Sequence, residues 1–71
     1  MVKYIIWFNK HAKITFGDLL DEIDRDGDMF YVPKYYKDIQ RWALLVHERD
    51  CVKTEKVLQD NCVQYKKEVC A

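Results

Sequence analysis

The 71 residues contain only two glycines and one proline. So few leave little room for a disordered linker, and two glycines cannot build a glycine-rich phosphate loop. Nearly the whole chain is expected to be ordered. Long apolar runs are missing too. The longest, Tyr4 to Phe8 and Trp42 to Val46, fall far short of the roughly 20 residues of a membrane span. The start, Met1-Val2-Lys3-Tyr4, lacks the basic segment, apolar core and small-residue cleavage site of a signal peptide. The expectation is a cytoplasmic chain that does not associate with a membrane. A disulfide framework is also absent, because Cys51, Cys62 and Cys70 are odd in number and widely spaced. That pattern suits thiols kept reduced. Finally, there is no net charge, with 12 basic residues against 12 acidic ones, so bulk electrostatics name no partner.

Apolar and aromatic side chains are plentiful. They make up 49% and 14% of the chain. A chain this short buries only about 60% of the surface its unfolded form exposes. Large rings compensate by burying much area per residue. One domain is expected, covering residues 1–71.

The charges are unevenly placed. Thr15 to Asp28 hold six acids and one base, Arg25, while the rest of the chain holds eleven bases and six acids. That is −5 in one segment and +5 elsewhere.

Val2 to Phe8 reads as a strand, with Val2, Tyr4, Ile6 and Phe8 on one face and Lys3, Ile5, Trp7 and Asn9 on a half-buried other. Lys13 to Thr15 is a candidate second short strand. Thr15 has the character of a helix N-cap, with Asp18 three residues on. Phe16, Leu19, Leu20 and Ile23 follow at helical spacing, and Asp26-Gly27 ends that helix in a turn. Met29 to Val32 reads as a short strand closed by Pro33. Tyr35, Ile39, Trp42, Ala43 and Val46 suggest a helix over residues 34–49. Leu58, Cys62, Tyr65 and Val69 suggest another over 54–69. The expected class is α+β, a sheet of two or three strands against two or three helices in the order β-α-β-α-α.

No catalytic constellation is legible. Glu22 to Asp28 alternates acids before Gly27, as a calcium loop does. Counted from Gly27 as the sixth position, the first ligand is Glu22 and the twelfth is Pro33, so both ends of the loop are wrong. His47, Cys51, Cys62 and Cys70 lack the close cysteine pair of a structural zinc site. Neither His11 nor His47 sits in a nucleophile-activating motif. The chain is therefore read as a non-enzyme without cofactor or metal.

Two binding readings remain. The first is a small protein-binding modulator, of the kind phages or mobile elements use to inhibit a nucleic-acid-processing host protein. Its contact surface would be Asp21, Glu22, Asp24, Asp26 and Asp28, with Tyr31 and Tyr36 as ring anchors. The alternative is a nucleic-acid-binding regulator that uses Lys34, Lys37 and Arg41 along one helix face, with neighbouring tyrosines for stacking. It ranks second because the sequence pI is near 6.7. Self-association through the Leu58, Cys62, Tyr65 and Val69 stripe is a third expectation.

Overall fold

In the computed structural model, residues 1–25, 27 and 30–69 are described. The elements run β1 (Val2–Trp7), α1 (Phe16–Ile23), β2 (Tyr31–Tyr36), β3 (Arg41–Val46), a 3-10 turn (Glu48–Asp50), α2 (Cys51–Asp60) and β4 (Gln64–Val69). The fold is α+β, as the element pattern suggests, but with four strands rather than two or three and in the order β-α-β-β-α-β rather than β-α-β-α-α, because residues 34–49 and 54–69 each supply a strand where a helix was expected. The sheet has four antiparallel strands in the order β2-β3-β1-β4. This is the split β-α-β, or ferredoxin-like, arrangement, which hosts many unrelated functions and so names none.

Both helices cover the same face. Val2, Tyr4 and Ile6 of β1 and Leu44 and Val46 of β3 form one buried cluster with Leu19 and Ile23 of α1 and Cys51 and Leu58 of α2. The strand period of two then turns Lys3, Ile5 and Trp7 to the other side, which neither α1 nor α2 covers. The alternation read in β1 is thus realised.

Helix α1 also follows its sequence signals. The Thr15 hydroxyl accepts from the Asp18 amide at 3.3 Å, satisfying one of the free donors of the first turn. Leu19 and Ile23 face the core. Residues Lys13 to Thr15 do not form a strand; the Lys13 amide instead donates to the Asn61 carbonyl at 2.9 Å.

The second half of the chain differs from its reading. Residues 34–49 are a hairpin rather than a helix. β2 runs through Pro33 instead of stopping there, and pairs with β3 from Tyr31↔Val46 to Tyr36↔Arg41. β2 is an edge strand, the place in a sheet where a residue without an N–H is tolerated. The proposed start of that strand at Met29 lies outside the described residues. The turn at 37–40 ends on Gln40 with φ of 52°, a left-handed conformation that glycine or asparagine ordinarily fills. Neither residue is there to signal it.

Residues 54–69 are likewise not one helix. α2 stops at Asp60 in a C-cap where Val63 N–H bonds to the Leu58 carbonyl at 2.9 Å and Cys62 N–H to Gln59 at 3.1 Å. Cys62 takes the left-handed position with φ of 56°, so this is a Schellman motif built on cysteine. The stripe Leu58, Cys62, Tyr65, Val69 is therefore broken. Leu58 is buried, Cys62 is exposed, and Tyr65 and Val69 belong to β4.

Candidate functional site

Strand register builds the uncovered face in rows. One row, from edge to edge, is Val32, Leu45, Lys3 and Glu68; the next is Lys34, Ala43, Ile5 and Lys66. At the hairpin end, Tyr36 opposes Arg41 and Trp7 opposes Gln64. Among the described residues, four cations thus share this face with the Glu68 carboxylate, two large rings and a floor of aliphatic side chains, and Asp38 adds a second carboxylate at the hairpin end. A shallow depression of about 540 Å³ runs from Lys66 and Glu68 past Ile5 to Trp7, Tyr36 and the turn residues Asp38 and Ile39.

The charges and rings are interleaved. Lys3 and Lys34 place their ammonium groups 5.1 and 5.2 Å from the Tyr36 ring centre. The Arg41 guanidinium lies 5.8 Å from the Trp7 ring. These separations are within cation–π range. Lys3 also pairs with Glu68 at 3.1 Å, and Lys66 lies 3.8 Å from the same carboxylate. Rings flanked by cations can stack flat π-systems while the cations hold anionic groups beside them.

Of the acids expected at a contact surface, Asp21, Glu22 and Asp24 lie on the other side of the molecule with α1. Asp21 is exposed there. Glu22 pairs with Arg25 one turn on, and Asp24 caps the helix end, its amide donating to the Leu20 carbonyl at 3.0 Å. Glu22 and Arg25 also share a groove with Lys53 and Lys56 of α2. Asp26 and Asp28, from the expected contact surface, lie outside the described residues. Tyr31 is half-buried against the core, whereas Tyr36 faces the opposite side on the open sheet.

Lys34, Lys37 and Arg41 do not share a helix face. Lys34 and Arg41 are brought together across the β2–β3 hairpin, and Lys37 stands in its exposed turn. Lys3, Trp7 and Lys66 join them, and sequence reasoning did not group these. The odd-position alternation of β1 was the available signal. For zinc, Cys51 and Cys62 stand at opposite ends of α2. A ten-residue helix separates its ends by about 15 Å, too far for one ion. His47 is engaged elsewhere, its Nδ1 accepting from the Arg49 amide at 3.2 Å. Cys70 lies outside the described residues.

No known family, curated protein or solved structure matches the chain. Its function has to be argued from the site.

A second surface carries rings at the same end of the sheet but on the helix side. Tyr35 meets Trp42 at 5.2 Å, Phe16 stacks on Trp42 at 4.6 Å, and Phe8 meets Phe16 edge-on at 6.0 Å. Tyr35, Trp42 and Phe8 are 44%, 38% and 39% exposed. Trp42, on the apolar stripe read as a helix face, sits instead on a strand at the sheet end, against Phe16 of the first turn of α1 and Tyr35 of β2.

Proposed function

We propose that the chain binds single-stranded nucleic acid across the open sheet face. One observation carries this reading: Lys3, Lys34, Arg41 and Lys66 surround Trp7 and Tyr36 on a surface with no helix over it. Single strands are held by cations along the phosphates and by rings that stack the bases, and an uncovered four-stranded sheet offers both at strand spacing. The zero net charge does not oppose this, because the α1 acids sit on the far side. What matters to a polyanion is the local field of the surface it meets.

The test is fluorescence anisotropy with labelled oligothymidine and oligouridine at low and at physiological salt, with tryptophan emission followed in parallel. Binding that weakens steeply with salt and quenches tryptophan emission, with the quench lost in Trp7→Phe, supports the reading. No anisotropy change with either strand at low salt rejects it.

A protein-binding modulator is the second reading, and a separate observation favours it: the half-exposed strip Phe8, Phe16, Trp42 and Tyr35 beside the acidic α1. Tryptophan and tyrosine are the ring types that anchor interfaces, and the acids would steer a basic partner. A protein retained after nuclease treatment, and lost with Trp42→Ala or with Asp21 and Asp24 reversed to lysine, supports it. Retention unchanged by either variant removes this surface.

A further inference from the structure

Glu68 stands between two lysines of the open face. Its carboxylate oxygens lie 3.1 Å from Lys3 Nζ and 3.8 Å from Lys66 Nζ. Lys3 and Glu68 are direct cross-strand partners on β1 and β4. The Lys3 side chain is 23% exposed and that of Glu68 38%, so the pair is screened less than a fully solvated one. Two ammonium groups converging on one anionic group suit a phosphate as well as a carboxylate, since both present negatively charged oxygens to charge-assisted donors. Lys3 also lies against the Tyr36 ring, so an anion held there would sit next to a stacking platform.

We propose that Lys3 and Lys66 form a phosphate subsite whose resting occupant is the chain's own Glu68 carboxylate. The sheet face is therefore self-blocked at one end, and an arriving backbone phosphate displaces Glu68 outward, off the β4 edge. This rests on the nucleic-acid reading of the same face. In the resting chain part of the lysine charge is already neutralised internally, so wild type releases fewer counterions on binding than its four cations allow.

The experiment uses the full chain and Glu68→Gln, with two probes. Inorganic pyrophosphate is titrated while lysine and backbone amide NMR shifts are followed, and labelled oligothymidine is titrated by anisotropy. Glu68→Thr, which keeps a strand-favouring residue at the edge, serves if the glutamine variant melts early. The expected result is that pyrophosphate moves Lys3 and Lys66 in the variant far more than in wild type. Oligothymidine should bind the variant roughly five- to tenfold more tightly, with a log–log salt slope steeper by about 0.7, one added contact on a single strand. Pyrophosphate shifts no larger in the variant, or, where wild type binds oligothymidine, a variant affinity equal to or below that of wild type, overturn the self-blocked subsite. If wild type still binds oligothymidine, the nucleic-acid reading survives that loss. If pyrophosphate moves Lys3 and Lys66 in the variant while oligothymidine binds neither chain, the phosphate subsite stands and the nucleic-acid reading fails.

Discussion

Tyr4 of β1 donates its phenol proton to Glu55 Oε2 of α2 at 2.6 Å, across 51 positions of sequence. The same carboxylate oxygen accepts from Lys67 Nζ of β4 at 3.1 Å. One oxygen thus ties a central strand, an edge strand and a helix together. Burial, then the neighbouring Cys51 and Glu55, push the Tyr4 pKa well above its ordinary value, so the phenol stays a donor. The Tyr4 hydrogen bond and then Lys67 hold Glu55 below its ordinary value of 4.5.

The sign of the pH effect follows. A carboxylate with a depressed folded-state pKa contributes stability that is present above its unfolded value and lost as pH falls through the folded one. The melting temperature of wild type should therefore fall as pH drops below about 4.5. Glu55→Gln should start lower at neutral pH and decline less steeply in acid. Thermal melts across the acid range check this, and parallel curves would remove Glu55 as the source. Tyr4→Phe should cost about 1 kcal/mol, the net worth of one hydrogen bond.

Cys62 offers a gain rather than a loss. Its φ of 56° places a side chain where glycine carries no steric cost. Cys62→Gly should raise stability by about 1 kcal/mol, partly offset by the greater freedom of glycine in the unfolded chain. Urea unfolding measures it. A lower midpoint at unchanged slope would show that the cysteine side chain contributes packing that outweighs the strain.

Thr15→Ala removes the acceptor that satisfies the Asp18 amide. About 1 kcal/mol is expected, as for other hydroxyl caps. For a domain of this length that is roughly 4–8 °C in melting temperature. Thr15→Asp should keep most of the stability.

On the open face, rings and cations should fail differently. Trp7→Ala should weaken single-strand binding by about 1–3 kcal/mol with little change in salt dependence, because stacking is lost and no phosphate contact is. Arg41→Ala should weaken binding and flatten the log–log salt slope by about 0.7. Anisotropy titrations at several salt concentrations separate the two. Identical salt slopes for both variants would contradict the division of labour.

Within the first half, β1 and α1 were legible because their signals agree, whereas the expected strand at Lys13 to Thr15 does not form. In β1 the strand alternation is uninterrupted, and in α1 a capping threonine precedes Leu19 and Ile23 at helical spacing. The second half carries conflicting signals. Trp42 to Val46 is an apolar run whose leucines and alanine suit either state, and short runs of this kind do not separate helix from strand by period. The turn that would have decided it has Gln40 in the left-handed position. In β4, Lys66, Lys67 and Glu68 are good helix formers on a polar edge strand, where tertiary pairing overrides propensity. The open face was hidden for the same reason. Lys34 and Arg41 were read along a helix that is not there, and Lys3, Trp7 and Lys66 meet them only once the sheet order is known.

Pro33 has a consequence for how copies of the chain meet. A sheet with two open borders can add neighbours without end, each copy offering the next a fresh border. Here the β2 border carries Pro33, which has no amide to donate, while β4 at the other border contains no proline. A second copy adding a strand would find one donor fewer along β2 than along β4, so the proline makes β2 the weaker seam for edge-to-edge pairing.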